Sequence, residues 1–539
     1  MSCQGRYIGR LISRMLPVLL LSLIFLWDTG WVLAQQTTDL DDILSGFDDQ
    51  TGPTRKTQNG ESNMDDVLNG FDDEPKEGRG QSGLEEVLTG FDEAPEKPRD
   101  GKPGAGAARH WWEKPDWLQL SGALSLGSSI NYAHKAPEAG ETDHRGLSRL
   151  KAKANLEAKL KLSPTWRVKI GGHVFYDFAY AIKGRDEFTD DVLDDYEDEA
   201  ELDEAYVQGA LLPGLDLKLG RQIVVWGKSD NIRVTDILNP IDNREPGLVD
   251  IEDLRLPVTM TRLDYYYGDW NLCGIVIHEV RFNKDPQFGS DFFPSSEPLP
   301  EEEKPSTSID NQEYAVALNG IFSGWDFSLY GARFFDDQAH VEQTPSKLKL
   351  GQPPPGLKPG PVKQTPLVLE RRHSRLTMFG VAANMALGNW LLKGEAAYFH
   401  GLEFFALPGE TRSRLDMMAG VEYSGFTDTT ISLEVVNRHL FDFDERLESA
   451  PDSTLEDDFQ SVFRLTRNFL HETLKLTFLA STFDLTGGNG AFQRLTLDYD
   501  VTDRIWVQAG VITYQSGDKT SFQNIGDNDR IFFEIKYSF

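Results

Sequence analysis

The last ten residues of the chain alternate almost strictly between apolar and polar side chains. One face of this segment carries Ile531, Phe533, Ile535, Tyr537 and Phe539, and the other carries Arg530, Glu534, Lys536 and Ser538. A period of two predicts a β-strand, and the contrast between its faces is typical of a strand with lipid on one side and a watery lumen on the other. An edge strand of a soluble β-domain is the alternative.

Similar segments follow one another from residue 117 onward, and the connections between them alternate between short and long. Short turns at one rim and long loops at the other are typical of a transmembrane antiparallel β-barrel. We therefore predict an all-β fold with about 18 strands, within a range of 16–18. The predicted strands lie at 117–134, 146–162, 165–181, 200–212, 215–224, 257–267, 270–280, 311–322, 325–336, 373–387, 390–400, 412–423, 428–438, 458–468, 472–483, 491–500, 504–515 and 528–539.

The second of these segments indicates what the lumen contains. In residues 150–162 the even positions are Leu or Ala, whereas the odd positions are Lys, Asn or Glu. The apolar positions are expected to face lipid, so the charged positions point inward and the lumen is polar. A polar lumen of this strand number is wide enough for a channel.

The two ends of the chain indicate a compartment. Arg6, Arg10 and Arg14 precede an apolar run that ends near residue 27, and small residues follow before Gln35, which predicts a secretory signal peptide over residues 1–34. The final strand ending on Phe539 resembles the signal that the assembly machinery of bacterial outer-membrane barrels recognises. These features predict an outer-membrane protein of a Gram-negative-type bacterium, with lipid and lipopolysaccharide around it and both barrel ends in the periplasm.

Composition excludes several classes of function. The net charge of −32 disfavours nucleic acid as a partner. Of the two cysteines, only Cys273 lies beyond the predicted signal peptide, so no internal disulfide is expected. Residues 186–199 are rich in carboxylates but lack the spacing of a calcium loop, and no metal or cofactor is predicted.

Residues 35–110 form an acidic arm that we predict to be disordered, ahead of a barrel over 111–539. Three copies of one short motif lie in this arm, and each repeats the apolar spacing of a two-turn amphipathic helix. The predicted partner-docking residues are Leu40, Ile43, Leu44, Phe47, Met64, Val67, Leu68, Phe71, Leu84, Val87, Leu88 and Phe91. The copies are interpreted as docking motifs for a periplasmic or inner-membrane partner. A solvating spacer is the alternative.

The connection after the fifth strand is too apolar for a free surface loop and does not alternate as a strand does. Its sequence runs from Gly220-Arg-Gln through Trp226-Gly and Asn239-Pro to Pro257-Val. Such a loop is expected to fold into the barrel and partly occlude it. The candidate solute-contacting residues are Arg221, Gln222, Trp226, Asn239, Asp242 and Arg255. Shaping and anchoring the loop is the alternative role for the same residues.

This loop resembles that of a family of outer-membrane β-barrels catalogued mainly as a domain of unknown function. The matching positions are Gly220, Arg221, Gln222, Trp226, Gly227, Asn239, Pro240, Asp242 and Pro257. Members of the family are often linked to exporters of the resistance-nodulation-division type that handle hydrophobic or lipid-like molecules. The resemblance implies a role in transport.

The sequence lacks the compact motifs of hydrolases, such as a Gly-x-Ser-x-Gly elbow or a His-Glu-x-x-His helix, so we predict that the protein is not an enzyme. The predicted function is an outer-membrane channel or transport component for hydrophobic or amphiphilic molecules, working with an exporter that docks on the repeats. A general diffusion porin is the alternative. An outer-membrane lipid hydrolase and a purely structural or adhesin barrel are the remaining classes.

Overall fold

The structure, a computed structural model, describes residue 115 and residues 117–137, 141–295, 297–345 and 367–539. The predicted signal peptide, the acidic arm and all the predicted docking residues lie outside this part of the chain. The described residues form 21 strands. The strands are β1 (Leu118–Asn131), β2 (Gly146–Lys161), β3 (Trp166–Asp177), β4 (Asp198–Leu212), β5 (Leu215–Gln222), β6 (Val258–Tyr267), β7 (Trp270–Ile277), β8 (Glu302–Glu303), β9 (Glu313–Phe322), β10 (Trp325–Phe335), β11 (His340–Pro345), β12 (Leu367–Arg372), β13 (Arg375–Leu387), β14 (Trp390–Glu403), β15 (Thr411–Phe426), β16 (Thr429–Leu440), β17 (Asp457–Phe469), β18 (Leu474–Phe483), β19 (Ala491–Thr502), β20 (Ile505–Gln515) and β21 (Arg530–Ser538).

Eighteen of these strands form one closed antiparallel barrel. Each barrel strand pairs with the next one along the chain, and β1 closes the ring by pairing with β21 as well as with β2. Closure satisfies the backbone groups that an open sheet would leave unpaired at its edges, which is a requirement inside a membrane. The predicted fold class and the count of 18 strands are confirmed.

The two faces of the barrel wall differ as the alternation predicts. In β21, Ile531 and Phe533 are 56% and 43% exposed, whereas the alternate residues Arg530 and Phe532 are buried on the inner side. Exposed aromatic side chains cluster at the rim with the tight turns, among them Trp270, Trp325 and Trp390. An apolar belt with an aromatic girdle is the surface that a lipid bilayer covers.

Connection lengths also follow the prediction. Tight turns such as 213–214 and 323–324 lie at one rim, and long loops such as 223–257 and 278–312 lie at the other. Two predicted loop regions contain additional structure, because β8, β11 and β12 form a separate three-stranded sheet. No helix in the described ranges is long and apolar enough to cross a membrane.

The helices are short and lie in the long loops. They are α1 (Phe178–Lys183), α2 (Asp190–Tyr196) and α3 (Ile251–Leu254). The acidic segment 186–199 is thus partly helical: Thr189 caps α2 by accepting a hydrogen bond from the Val192 amide, and acidic residues fill the first turn.

Candidate functional site: a two-finger loop inside the barrel

The loop between β5 and β6 lies inside the barrel, because its residues contact inward-facing side chains of β2, β10, β14, β16, β17, β19 and β20. These strands surround the lumen, so only a segment within the lumen reaches them all. The loop has two lobes. We call residues 224–239 finger 1 and residues 241–255 finger 2.

Asn239 closes the base of finger 1. Its side-chain oxygen accepts a hydrogen bond from the Val224 amide at 2.8 Å, and its amide nitrogen donates to the carbonyls of Gln222 at 3.2 Å and Leu256 at 2.9 Å. Asn239 is fully buried, as is Gln222, whose side chain donates to the Met260 carbonyl at 3.1 Å. One amide therefore joins the backbone at the start of the loop, at Gln222 and Val224, to the backbone at its end, at Leu256, and satisfies their buried polar groups.

Glu395 of β14 receives the tip of finger 1. Its carboxylate accepts hydrogen bonds from the amides of Lys228, Ser229 and Thr235 and from the Thr235 hydroxyl, the last at 2.8 Å. Gly227 precedes this contact with a φ of +88°, and a Cβ there would lie 2.7 Å from a Glu395 oxygen. The position therefore requires glycine for both its conformation and its close approach to the wall.

Glu434 of β16 accepts hydrogen bonds from the next residues of finger 1 in the same way. It accepts from the amides of Asp230 and Asn231, both at 3.0 Å, and from the Ser229 hydroxyl at 2.8 Å. Lys393 of β14 forms an ion pair with Asp230, and its Nζ lies 3.9 Å from a Glu434 oxygen. Several N–H and O–H donors of finger 1 thus converge on each of these two buried carboxylates.

The underside of finger 1 is apolar and covers an apolar part of the inner wall. Trp226 stacks on Tyr330 of β10 with ring centroids 4.7 Å apart. The finger residues Val224, Ile232, Val234 and Leu238 belong to the same buried cluster as the wall residues Met260, Ile277, Ala317, Met378, Phe399 and Val436. A barrel wall lined only for water would not bury such residues, so the lumen is divided into an apolar sector and a charged one.

Finger 2 meets the charged sector. Asp250 forms ion pairs with Arg464 of β17, at 3.0 Å, and with Arg494 of β19. Arg149 of β2 pairs with Glu245 at 3.0 Å. The finger is anchored here by carboxylates of the loop and guanidinium groups of the wall, which form short charge-assisted bonds.

Backbone contacts of finger 2 complete this attachment. Tyr514 of β20 donates its hydroxyl to the Pro246 carbonyl at 2.6 Å, and Arg494 donates to the Gly247 carbonyl at 2.9 Å. Gly247 has a φ of +78°, and a Cβ there would lie 2.9 Å from the Phe492 ring. Finger 2 therefore also approaches the wall too closely for a side chain at its tip.

Glu245 and Asp250, the two acids of finger 2 that bind arginines of the wall, lie outside the membrane-spanning strands and carry lowered pKa values. Burial by itself raises the pKa of Glu245, but Arg149 and neighbouring cations outweigh it and lower the pKa to about 2. The pKa of Asp250 is likewise lowered by Arg494 and Arg464 against the effect of burial. Both groups are therefore charged near neutral pH and hold their cationic partners.

A second long loop, residues 278–312, packs against the first residues of finger 2. The Lys284 carbonyl accepts a hydrogen bond from the Asn243 amide of the finger at 2.7 Å, and the Lys284 amide donates to the Ile241 carbonyl of the finger at 3.0 Å. Phe292 of the same loop is buried against Tyr514 and lies under the Arg530 guanidinium, which is 4.4 Å from its ring centroid. The two loops therefore form one packed assembly at the long-loop rim.

The structure places the other predicted solute-contacting residues in internal ion pairs. Arg255 donates to Asp236 at 2.8 Å, and both side chains are almost fully buried. Arg221, at the end of β5, pairs with Glu201 at 3.1 Å and with Glu279.

Asp242 accepts from Arg244 within finger 2. All six predicted positions thus lie at or near the base of the two fingers, where each contacts the protein itself.

Several residues of the site were not found from the sequence. They are the wall anchors Glu395, Glu434, Lys393, Arg149, Arg464, Arg494 and Tyr330, together with Asp250 and Glu245 of the loop. Each wall residue does occupy an inward position in an alternating strand, which is the one sequence signal available for it. Which loop residue it meets depends on contacts between residues that are 96 to 244 positions apart in the sequence.

The closed strand pairing, the apolar belt and the filled lumen together define a transmembrane β-barrel whose interior is partly occupied by its own chain. The chain belongs to the family described as "Protein of unknown function (DUF1302)", whose model matches residues 139–539. No curated protein matches the chain.

Solved structures of other barrels are similar over most of the chain. The Pseudomonas aeruginosa protein OccK9 (OpdG) has 11% identity and a TM-score of 0.47, and the comparison covers 78% of this chain and 98% of that one. OccK2 (OpdF) of the same organism, solved in complex with glucuronate, has 12% identity and a TM-score of 0.44, with 78% and 97% covered.

Proposed function

We propose that the protein is an outer-membrane channel or transport component that moves hydrophobic or amphiphilic molecules, with the two fingers as its constriction. The observation that carries the proposal is the apolar sector of the inner wall beneath finger 1. If finger 1 leaves the wall, the side chains it covers become an apolar surface inside the lumen. A route of this kind suits a molecule with an apolar body.

The charged sector supports the amphiphilic part of the proposal. Arg149, Arg464 and Arg494 lie on the part of the wall next to finger 2, and acids of finger 2 form ion pairs with them. An anionic head group competes for the same guanidinium groups, since arginine binds carboxylates and phosphates in the same forked geometry. A solute with an apolar body and an acidic head would then contact both sectors at once.

Single-channel recording in planar bilayers tests the constriction. We expect the protein without residues 35–100 to conduct weakly or not at all, and a variant in which a short glycine-serine linker replaces residues 226–256 to conduct steadily. Steady conduction of the intact barrel, unchanged by the replacement, contradicts a closed constriction and favours the general diffusion porin.

A flux measurement separates the two transport functions. Liposomes containing the loop-replaced variant are loaded with an apolar dye or with a sugar of similar size. A diffusion porin passes the sugar and excludes the dye, whereas the proposed channel passes the dye at a rate that depends on the apolar wall. Substituting the wall residues Met378 and Val436 by serine is expected to reduce the flux of dye and leave the flux of sugar unchanged.

The working partner is part of the same proposal. We propose that an exporter of the envelope docks on the three repeats of the acidic arm, with both barrel ends in the periplasm. Deleting residues 35–100 is then expected to abolish co-purification of the partner and to leave the low conductance of the barrel unchanged. Export that continues without the arm would exclude docking through these repeats.

One observation favours a hydrolase as the second candidate. Ser374 contacts His340 Nδ1 at 3.0 Å, and His340 Nε2 lies 3.4 Å from Glu403. A serine that contacts a histidine, which in turn contacts a carboxylate, is the arrangement of a nucleophilic site. Ser374 is only 5% exposed, so a substrate would need an opening to reach it. Release of fatty acid from a short-chain ester, lost in Ser374→Ala and in His340→Ala, would establish this activity. Equal rates in all three proteins would exclude it.

A further inference from the structure

Two arginines face outward on adjacent barrel strands near the long-loop rim. Arg333 of β10 lies on the same face as Trp325 and Leu329, which are 48% and 43% exposed. Arg375 of β13 lies on the same face as Phe379, which is 65% exposed. The register pairs Arg333 with Thr377 and Arg375 with Phe335, so the two arginines are diagonal neighbours about 7–8 Å apart.

The next strand adds a third basic residue. His400 of β14 pairs with Thr377 and shares its outward face with Tyr398. The hydroxyls around these residues are already oriented by them: Arg333 donates to Thr377 at 2.6 Å, and both Tyr398 and His400 contact the Ser413 hydroxyl, at 2.9 and 3.0 Å. We call Arg333, Arg375 and His400 the outer basic cluster.

The described carboxylates form no ion pair with this cluster, although the charge of Glu313 acts on Arg375. Arg375 donates to the backbone carbonyls of Asp310 and Gln312, and Arg333 donates to a hydroxyl, but neither makes an ion pair with a described carboxylate. Two like charges at diagonal positions repel each other. An anion between them would remove this repulsion and use the remaining N–H donors.

The height of the cluster on the wall identifies the source of that anion. Arg333, Thr377 and His400 lie at the ends of their strands remote from the tight turns, at the distance of about 9–11 residues over which a strand crosses the apolar layer. This is the level of the head groups in the leaflet next to the long loops, and Tyr314 and Tyr398 mark it as an aromatic boundary. The anionic groups that occur at this level are the phosphates of lipids.

We propose that the outer basic cluster is a binding site for the phosphate of a membrane lipid, with Arg333 and Arg375 as its main ligands. The site lies on the outer wall and its occupancy does not depend on transport through the lumen.

Native mass spectrometry of the detergent-solubilised protein tests this assignment with two lipids that share their acyl chains, phosphatidylglycerol and diacylglycerol. The intact protein is expected to retain phosphatidylglycerol and to release diacylglycerol. In Arg333→Gln/Arg375→Gln, retention of phosphatidylglycerol is expected to fall about tenfold, as the loss of charge-assisted hydrogen bonds predicts. The variant Arg333→Lys is expected to keep part of the binding.

Arg467 provides a matched control. It is also an exposed arginine on the outward face, but it belongs to the opposite rim, where its guanidinium lies 5.1 Å from the Phe469 ring. Arg467→Gln is expected to change retention by less than about twofold. Heat-modified gel migration shows whether each variant has folded. If the double variant does not fold, the retention of lipid is compared between the intact protein and Arg333→Lys.

Three outcomes would overturn the proposal. They are equal retention by the folded double variant, an equal loss in Arg467→Gln, and displacement of the lipid by millimolar inorganic phosphate. The last of these would assign the cluster to free phosphate.

Discussion

Finger 1 brings backbone N–H groups to carboxylates of the wall, whereas finger 2 brings carboxylates to arginines of the wall. Glu395 and Glu434 serve the first finger, and Arg464 and Arg494 serve the second. Finger 1 adds two ion pairs to these bonds, Asp230 with Lys393 and Lys228 with Asp326, whereas ion pairs are the main side-chain attachment of finger 2. Screening by salt is therefore expected to act on both fingers and more strongly on finger 2.

Removal of Glu395 is expected to have the largest effect. Glu395→Ala leaves four donors of finger 1 without their acceptor, and each buried unsatisfied group costs about 1–3 kcal/mol. Finger 1 should detach, so that a cysteine introduced at Ser229 becomes accessible to a thiol reagent. Glu422→Ala is the control, because Glu422 faces inward on β15 without a hydrogen bond to the described loop. Equal protection of the cysteine in both variants would show that packing alone holds finger 1.

Asp250→Asn is expected to have the next largest effect, on finger 2 only. The amide keeps the shape of Asp250 but leaves Arg464 and Arg494 without their counter-charge, at a cost of about 2 kcal/mol. High salt should weaken the docking of finger 2 in the unmodified protein and have less influence on the variant. A cysteine at Val249 reports this docking. If salt acts equally on cysteines at Val249 and Ser229, the two fingers do not differ in the way the contacts indicate.

Acid should separate the fingers further. The folded-state pKa of Glu245 is about 2, and that of Asp250 is also lowered. Groups with depressed pKa values stabilise the docked state fully above their unfolded values near 4, and this stabilisation is lost as the pH falls through the folded values. Accessibility of a cysteine at Val249 should therefore stay constant from pH 7 to about pH 5 and rise below about pH 4. Glu245→Gln should show a smaller change, and a rise already at pH 6 would contradict the assignment.

Trp226→Phe should have the smallest effect. The aromatic stack on Tyr330 is worth about 0.5–1.5 kcal/mol beyond its buried area, and a phenyl ring keeps part of it. We expect finger 1 to remain docked with a modest rise in the exchange rate of its amide protons. Val225→Phe is a matched change at a side chain that is 59% exposed and should leave exchange unchanged. If Trp226→Phe released finger 1 completely, the stack on Tyr330 and not Glu395 would be its main attachment.

Much of the barrel could be predicted from the sequence because its pattern is local. Alternation over residues 150–162 and 530–539 shows which face meets lipid, and the lengths of the connections give the strand count. The sheet of β8, β11 and β12 was missed, since β8 has two residues and carries no periodic pattern of its own.

The site was predicted less completely. The sequence singles out the inward loop and its base, including Trp226, Asn239 and Arg255, but alternation gives only the face on which a wall residue lies. The partners of Asp250 and of the Ser229 amide come from strands that the chain reaches 150 residues or more later. Such pairings depend on how the closed barrel brings distant strands to one lumen.

Arg464 touches both fingers. Its guanidinium donates to Asp250 of finger 2 at 3.0 Å and lies 3.5 Å from the side-chain oxygen of Asn231 in finger 1. A solute that displaces one finger therefore changes the free energy with which the other is held, and thermodynamic linkage makes this coupling reciprocal. Arg464 thus couples displacement of finger 1 from the apolar sector to the attachment of finger 2 in the charged sector, and the reverse, without any larger change in the barrel.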